Sequence, residues 1–117
     1  MIIAVTGTRY GVEPATMDKF KKIVEDLATK HSCRFQIGDA TGVDTQVKDY
    51  LHGLTMPYSV YYADWAEHGV SAGPIRNKAM LEEADLLIAF PGGNGTANCV
   101  NQAVAKGIEV IKIERKK

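Results

Sequence analysis

Asp85-Leu86-Leu87-Ile88-Ala89-Phe90 runs directly into Pro91-Gly92-Gly93-Asn94-Gly95-Thr96. An apolar run this short, bounded by turn residues, reads as a strand buried on both faces. The glycine-rich segment stops it and opens a helix over Thr96 to Lys106, which Gly107 ends. The same alternation extends outward in both directions. Ile2 to Thr6 is a short apolar strand ending at Gly7. Pro14 suits a first helical turn, and Met17, Phe20, Ile23, Val24, Leu27 and Ala28 then share one helical face. Cys33 to Ile37 and Ser59 to Tyr62 read as strands, Thr45 to Leu51 and Pro74 to Glu83 as helices, and Glu109 to Ile113 as a last strand. Apolar strands alternating with amphipathic helices imply parallel pairing with both faces covered. The expectation is one domain over residues 1–117: a three-layer α/β/α Rossmann-like domain with a mostly parallel five-stranded sheet and right-handed crossovers.

Composition narrows the function classes. At 117 residues the chain buries roughly two-thirds of its unfolded surface and needs no disulfide or metal to fold. Fourteen Lys+Arg balance fourteen Asp+Glu, so bulk charge gives no support to a nucleic-acid binder, which is usually basic. Zero net charge also leaves self-association tolerable, and a homo-oligomer is expected. No apolar run approaches the ~20 residues of a membrane span. The N-terminus lacks a basic region ahead of its apolar run and does not read as a signal peptide. The two cysteines, Cys33 and Cys99, form no paired motif, which fits a reducing cytoplasm. His31, His52 and His68 are scattered, so neither a metal site nor a cofactor is expected.

The eleven glycines matter by position. Gly7, Gly38, Gly42, Gly73, Gly92, Gly93 and Gly95 fall at strand ends or before helix starts. In a parallel sheet these loops share the carboxyl edge, where ligands bind. Gly92 to Thr96 reads as a phosphate cradle, with free N–H groups, a helix dipole and a hydroxyl. It is neither a Walker A loop nor a GxGxxG motif, and a tight strand-to-helix turn explains it equally simply. Thr8 and Arg9 follow the first strand, Asp39 and Asp44 the second. Arg76 and Asn77 fall in the first turn of the third helix. A cation there opposes the helix dipole unless it meets an anion, either a ligand phosphate or Asp39 or Asp44. Asp44 could cap its helix, whereas Asp39 suits a ribose diol. Trp65 could stack on a base or simply pack. Cys99 reads as a buried small hydrophobe, His68 as an exposed loop residue, and Lys112 to Lys117 as a solvated basic tail.

Five motifs in order give the chain a wider resemblance. They are Val5-Thr6-Gly7-Thr8-Arg9, Gly38-Asp39-Ala40-Thr41-Gly42-Val43-Asp44, Trp65, Ala72-Gly73-Pro74-Ile75-Arg76-Asn77 and Ala89-Phe90-Pro91-Gly92-Gly93-Asn94-Gly95-Thr96. Nearly the whole length resembles the SLOG superfamily of Rossmann-like proteins, above all its small members with the YspA core-like fold. The resemblance implies binding of a nucleotide or a nucleotide-derived, ADP-ribose-like molecule, as sensor, carrier or sequestering protein. Some members act in nucleotide signalling conflicts between phages and hosts. The LOG-type phosphoribohydrolases look like cousins that share Arg76 and the Pro91-to-Thr96 loop, and related proteins often form dimers. DprA-type DNA handlers belong to the same superfamily, but the neutral charge opposes that reading. The phosphoribohydrolases carry glutamates after Gly-Thr, where this chain has Ala97-Asn98-Cys99. Asn98 cannot serve as a carboxylate base. Asp39 or Asp44 is the candidate acid for an alternative activity, cleavage of the N-glycosidic bond of a nucleotide.

Overall fold

Pro14 sits at the first helical position, where its missing N–H needs no partner. Glu13 precedes it in extended conformation, and its carbonyl takes the N–H groups of Thr16 and Met17 at 3.0 Å each. Such local signals divide the chain. The computed structural model describes residues 1–115, so Lys116 and Lys117 of the expected basic tail lie outside the described residues. The elements are β1 (Ile2–Thr6), α1 (Pro14–Lys30), β2 (Arg34–Gly38), α2 (Val43–Gly53), β3 (Tyr58–Tyr61), α3 (Trp65–His68), α4 (Ala72–Leu81), β4 (Leu86–Ala89), α5 (Asn94–Ala105) and β5 (Glu109–Lys112), with a 3₁₀ turn at Gly69–Ser71 between α3 and α4.

The five strands form one sheet in the order β3-β2-β1-β4-β5, and all four pairings are parallel. The sheet is thus wholly rather than mostly parallel. The chain starts in the centre, builds outward through β2 and β3, then crosses over to β4 and β5. The order reverses between β1 and β4, where Ile3 faces Leu86 and Val5 faces Ile88. A crevice opens above the carboxyl ends of strands at such a reversal.

Side chains alternate across the strands and build two cores. Ile3, Val5, Phe35, Ile37, Ile88 and Phe90 face Phe20 and Val24 of α1 and Val43, Val47 and Leu51 of α2. On the other face Ala4 and Leu87 meet Met80 and Leu81 of α4 and Cys99 and Ala103 of α5. Small residues at Ala4, Cys99 and Ala103 bring α5 close to the sheet. No helix among the described residues is long and apolar enough to cross a membrane.

Two local expectations change. Trp65 begins a one-turn helix rather than lying in a loop, because the Asp64 carboxylate accepts the N–H of Glu67 at 3.1 Å as an N-cap. α4 starts at Ala72, two residues before Pro74, so Arg76 lies beyond the first turn and the helix dipole opposes it less.

Candidate functional site

Three loops meet at the reversal point. The Thr8 N–H donates to the Pro91 carbonyl at 2.9 Å, and the Phe90 N–H to the Thr6 carbonyl at 2.9 Å. The Thr8 carbonyl accepts the N–H of Val43, the first residue of α2, at 3.0 Å. Gly42 makes this approach possible: its φ is +77°, and a Cβ there would collide with the Arg9 carbonyl. Gly7 packs against Phe90 and Val43. Thr96, buried in the first turn of α5, fills the space that a side chain on Gly92 would need. A tight-turn explanation therefore accounts for Gly7, Gly42 and Gly92.

Packing does not account for Gly93 and Gly95. A Cβ at either position would have no heavy atom within 4 Å, and neither residue has a positive φ. Glycine is also a poorer helix former than alanine, so Gly95 does nothing to strengthen its helix. Both are exposed at the start of α5. Gly93 is the N-cap and supplies no side-chain cap, and the first backbone bond of the turn runs from the Ala97 N–H to the Gly93 carbonyl at 3.0 Å. The N–H groups of a first helical turn have no acceptor within their own helix.

Beside this turn lies a polar cluster. The Arg76 Nη1 pairs with Asp39 Oδ1 at 2.8 Å, and both side chains are mostly shielded from solvent. Asp39 Oδ2 also accepts the Ala63 N–H at 3.3 Å, which ties the ends of β2 and β3 together. Arg76 Nε donates to Asn77 Oδ1 at 2.9 Å. Buried Asn77 reaches across to α5, donating from Nδ2 to the Gly95 carbonyl and to Asn98 Oδ1, at 3.2 Å each. Asn98 Oδ1 also accepts from Gln102 at 2.8 Å, and Gln102 donates to the Pro74 carbonyl at 3.0 Å. Arg76 is thus linked through its neighbour to the glycine-rich turn. Asn98 and Gln102, spaced four apart on one helical face, join α4 to α5; the sequence drew attention to Asn98 only as a residue unable to act as a base, and not to Gln102. The Asn98 side-chain oxygen is committed to this structural network.

Asp44 does not cap α2. Its Oδ2 reaches back to accept the Ala40 N–H at 3.1 Å, while Gly42 is the N-cap. Gly38 packs against both Asp44 and Arg76: a Cβ on it would lie 2.7 Å from Asp44 Oδ2 and 2.5 Å from Arg76 Nη1. Burial pushes the Asp44 carboxyl up to about 6, against the pull of the Ala40 N–H and Arg76. Cys99 is fully buried and its thiol is pushed up to about 11, again by burial, so it behaves as the small hydrophobe the sequence suggests.

The remaining candidates occupy the rim. Trp65 is exposed and packs over buried Gly73, whose Cβ position lies 3.3 Å from the indole. Gly73 is therefore covered by the protein's own tryptophan rather than open to a ligand. Thr8 is buried, and its hydroxyl takes the Tyr10 N–H at 3.2 Å. Arg9 is exposed and lies over the Tyr10 ring at 5.5 Å. Gln46, also not foreseen, clamps the loop after β1 by bonding both the N–H and the carbonyl of Val12 at 2.9 Å.

Fold and site together define a parallel α/β domain of Rossmann strand order, with a glycine-rich helix N-terminus opening at the switch point. The chain is 39% identical over 122 residues to the Gene 61 protein of Mycobacterium phage D29, with 93% of each chain covered. It belongs to the family of that phage protein. No family model matches the chain. No solved structure matches it.

Proposed function

We propose that the protein binds a nucleotide or nucleotide-derived, ADP-ribose-like molecule at the carboxyl edge of its sheet. The observation that carries this is an exposed, uncapped helix start built on two glycines, Gly93 and Gly95, that no neighbouring atom crowds. Bare backbone there lets a phosphate approach the N–H groups. Gly92 and Pro91 shape the loop, Asn94 and Thr96 add polar groups, and Arg76 and Arg9 supply charge. Asp39 takes a ribose hydroxyl and Trp65 offers a ring for stacking. Asn77 positions Arg76 against the turn. The ligand is held as by a sensor, carrier or sequestering protein, and kinship with a phage protein supports a setting in phage–host nucleotide signalling.

A second reading, cleavage of an N-glycosidic bond, draws on Asp44. A buried carboxyl with a value near 6 can hold or release a proton at neutral pH. One experiment separates the readings. The protein is incubated with a library of nucleotides and NAD metabolites, ligands are released by denaturation, and their masses are read. Intact ligand with a thermal shift supports binding alone, and a freed base supports hydrolysis. Gly95→Leu, whose side chain enters open space, weakens binding of the captured ligand at least tenfold without loss of thermal stability. Absence of any retained or stabilising nucleotide overturns both readings.

A further inference from the structure

α5 presents a second face to the crevice. Gly95, Asn98 and Gln102 point to α4, whereas Ala97, Val100 and Asn101 lie on the opposite side of the helix. On that side a groove of about 500 Å³ runs between α5 and the chain leaving β5. Pro91, Ala97 and Val100 give it an apolar lining, Phe90 and Ile113 border it with their side chains buried in the core, and Lys112 and Arg115 stand at its rim with Glu114. Arg115 is held by Glu13 at 2.8 Å, and the Lys19 ammonium donates to the Glu114 carbonyl at 3.0 Å, so the rim is fastened to α1. Among the described residues, Lys112 makes no ion pair. The groove also touches Gly92 and Thr96, so it is continuous with the glycine-rich turn.

We propose that this groove is a second subsite for a two-headed ligand, and the inference rests on the phosphate reading of the α5 turn. A phosphate on the turn has the Arg76–Asp39 cluster on one side and the groove on the other. A lone sugar phosphate needs only the first side, and an apolar floor gives it nothing. A nucleoside joined through a diphosphate fits both: its base lies against Pro91, Ala97 and Val100, and Lys112 neutralises the second phosphate. The Asn101 amide offers a donor and an acceptor to the base edge. The volume lies within the roughly 300–1,000 Å³ usual for small-molecule sites. The ligand class is therefore a nucleoside diphosphate sugar or dinucleotide, with its nucleoside on the β5 side and its distal sugar toward Asp39.

Calorimetric titration with ADP-ribose and with ribose 5-phosphate tests this. Wild-type protein binds ADP-ribose at least tenfold more tightly. Ala97→Trp fills the groove from an exposed position, lowers ADP-ribose affinity at least tenfold and leaves ribose 5-phosphate unchanged. Lys112→Glu, on the rim of the groove, does the same. ADP-ribose binding that survives both substitutions overturns the subsite and leaves the phosphate reading standing. If Ala97→Trp loses both ligands, Lys112→Glu decides: loss of ADP-ribose alone supports the subsite, and any other result overturns it. Binding of neither probe to the wild type overturns the subsite and the reading together.

Discussion

Asp44 shows how a single buried group couples stability to pH. Its carboxyl is raised from 3.8 to about 6 in the folded chain. The native state therefore holds its proton more tightly than the unfolded state, and stability falls as pH rises from about 4 through 6. The full shift corresponds to about 3 kcal/mol, at 1.36 kcal/mol per unit. About a third of that is already lost at pH 4.5, where the unfolded carboxyl is mostly ionised. Asp44→Asn keeps an acceptor for the Ala40 N–H and abolishes the titration. Urea denaturation should show the variant gaining about 2 kcal/mol relative to wild type between pH 4.5 and pH 7.5. A constant difference across that range would mean that the carboxyl does not titrate there. The sequence placed Asp44 beside a helix start and suggested a cap. It could not show that the carboxylate turns back into the preceding loop, since that depends on Gly38 and Arg76 arriving from other elements. The glycines divide in the same way. As letters, Gly42, Gly92, Gly93 and Gly95 are alike; only the packed structure separates those filled around by neighbours from those facing open space.

At the level of elements, the coupling of α4 to α5 depends on Asn77. It is buried, and its amide links Arg76, the Gly95 carbonyl and Asn98. Asn77→Leu leaves Arg76 Nε and the Gly95 carbonyl without these partners. The Gly95 carbonyl keeps its partner within α5, so the chief cost is the Arg76 Nε left unpaired, and thermal and urea denaturation should show a loss of about 1–3 kcal/mol. The nearby substitution Asn98→Ala leaves the Arg76 and Gly95 bonds in place and should cost less. Equal losses would show that the network has no hub. The larger elements were legible because apolar strands and helical periodicity are local signals. Their ends moved by one or two residues, most clearly at α4, where the 3₁₀ turn feeds straight into the helix. The short helix at Trp65 escaped a reading by periodicity because four residues make barely one turn. Its capping pair, Asp64 and Glu67, was nonetheless present in the sequence.

Across the whole molecule, charge is distributed against binding to a polyanion. Arg76 and Arg115 are tied to Asp39 and Glu13, and the chain is neutral overall. Fluorescence polarisation with a 20-nucleotide single strand at 0.15 M salt should therefore show no saturable binding tighter than about 10⁻⁴ M, the weak end of non-specific affinity. Micromolar binding with a steep salt dependence would restore the DNA-handling reading. The all-parallel sheet was legible as a class, because buried strands between helices admit few other arrangements. The convergence of the loops after β1 and β4 followed only from the strand order.

That strand order also imposes a timetable on synthesis. β1 occupies the middle of the sheet, yet one of its two neighbours, β4, lies more than eighty residues later, as the Ile2–Asp85 hydrogen bond records. A chain emerging from the ribosome can assemble β1, β2 and β3 while the inner flank of β1 is still bare. At roughly 5–20 residues per second this gap lasts on the order of seconds. The bare flank is a row of unpaired backbone groups waiting for Leu86 to Ala89, and an unpaired edge invites pairing with another chain. The crevice at the switch point closes over the same seam, so this long-range pairing also assembles the edge at which the proposed ligand would sit.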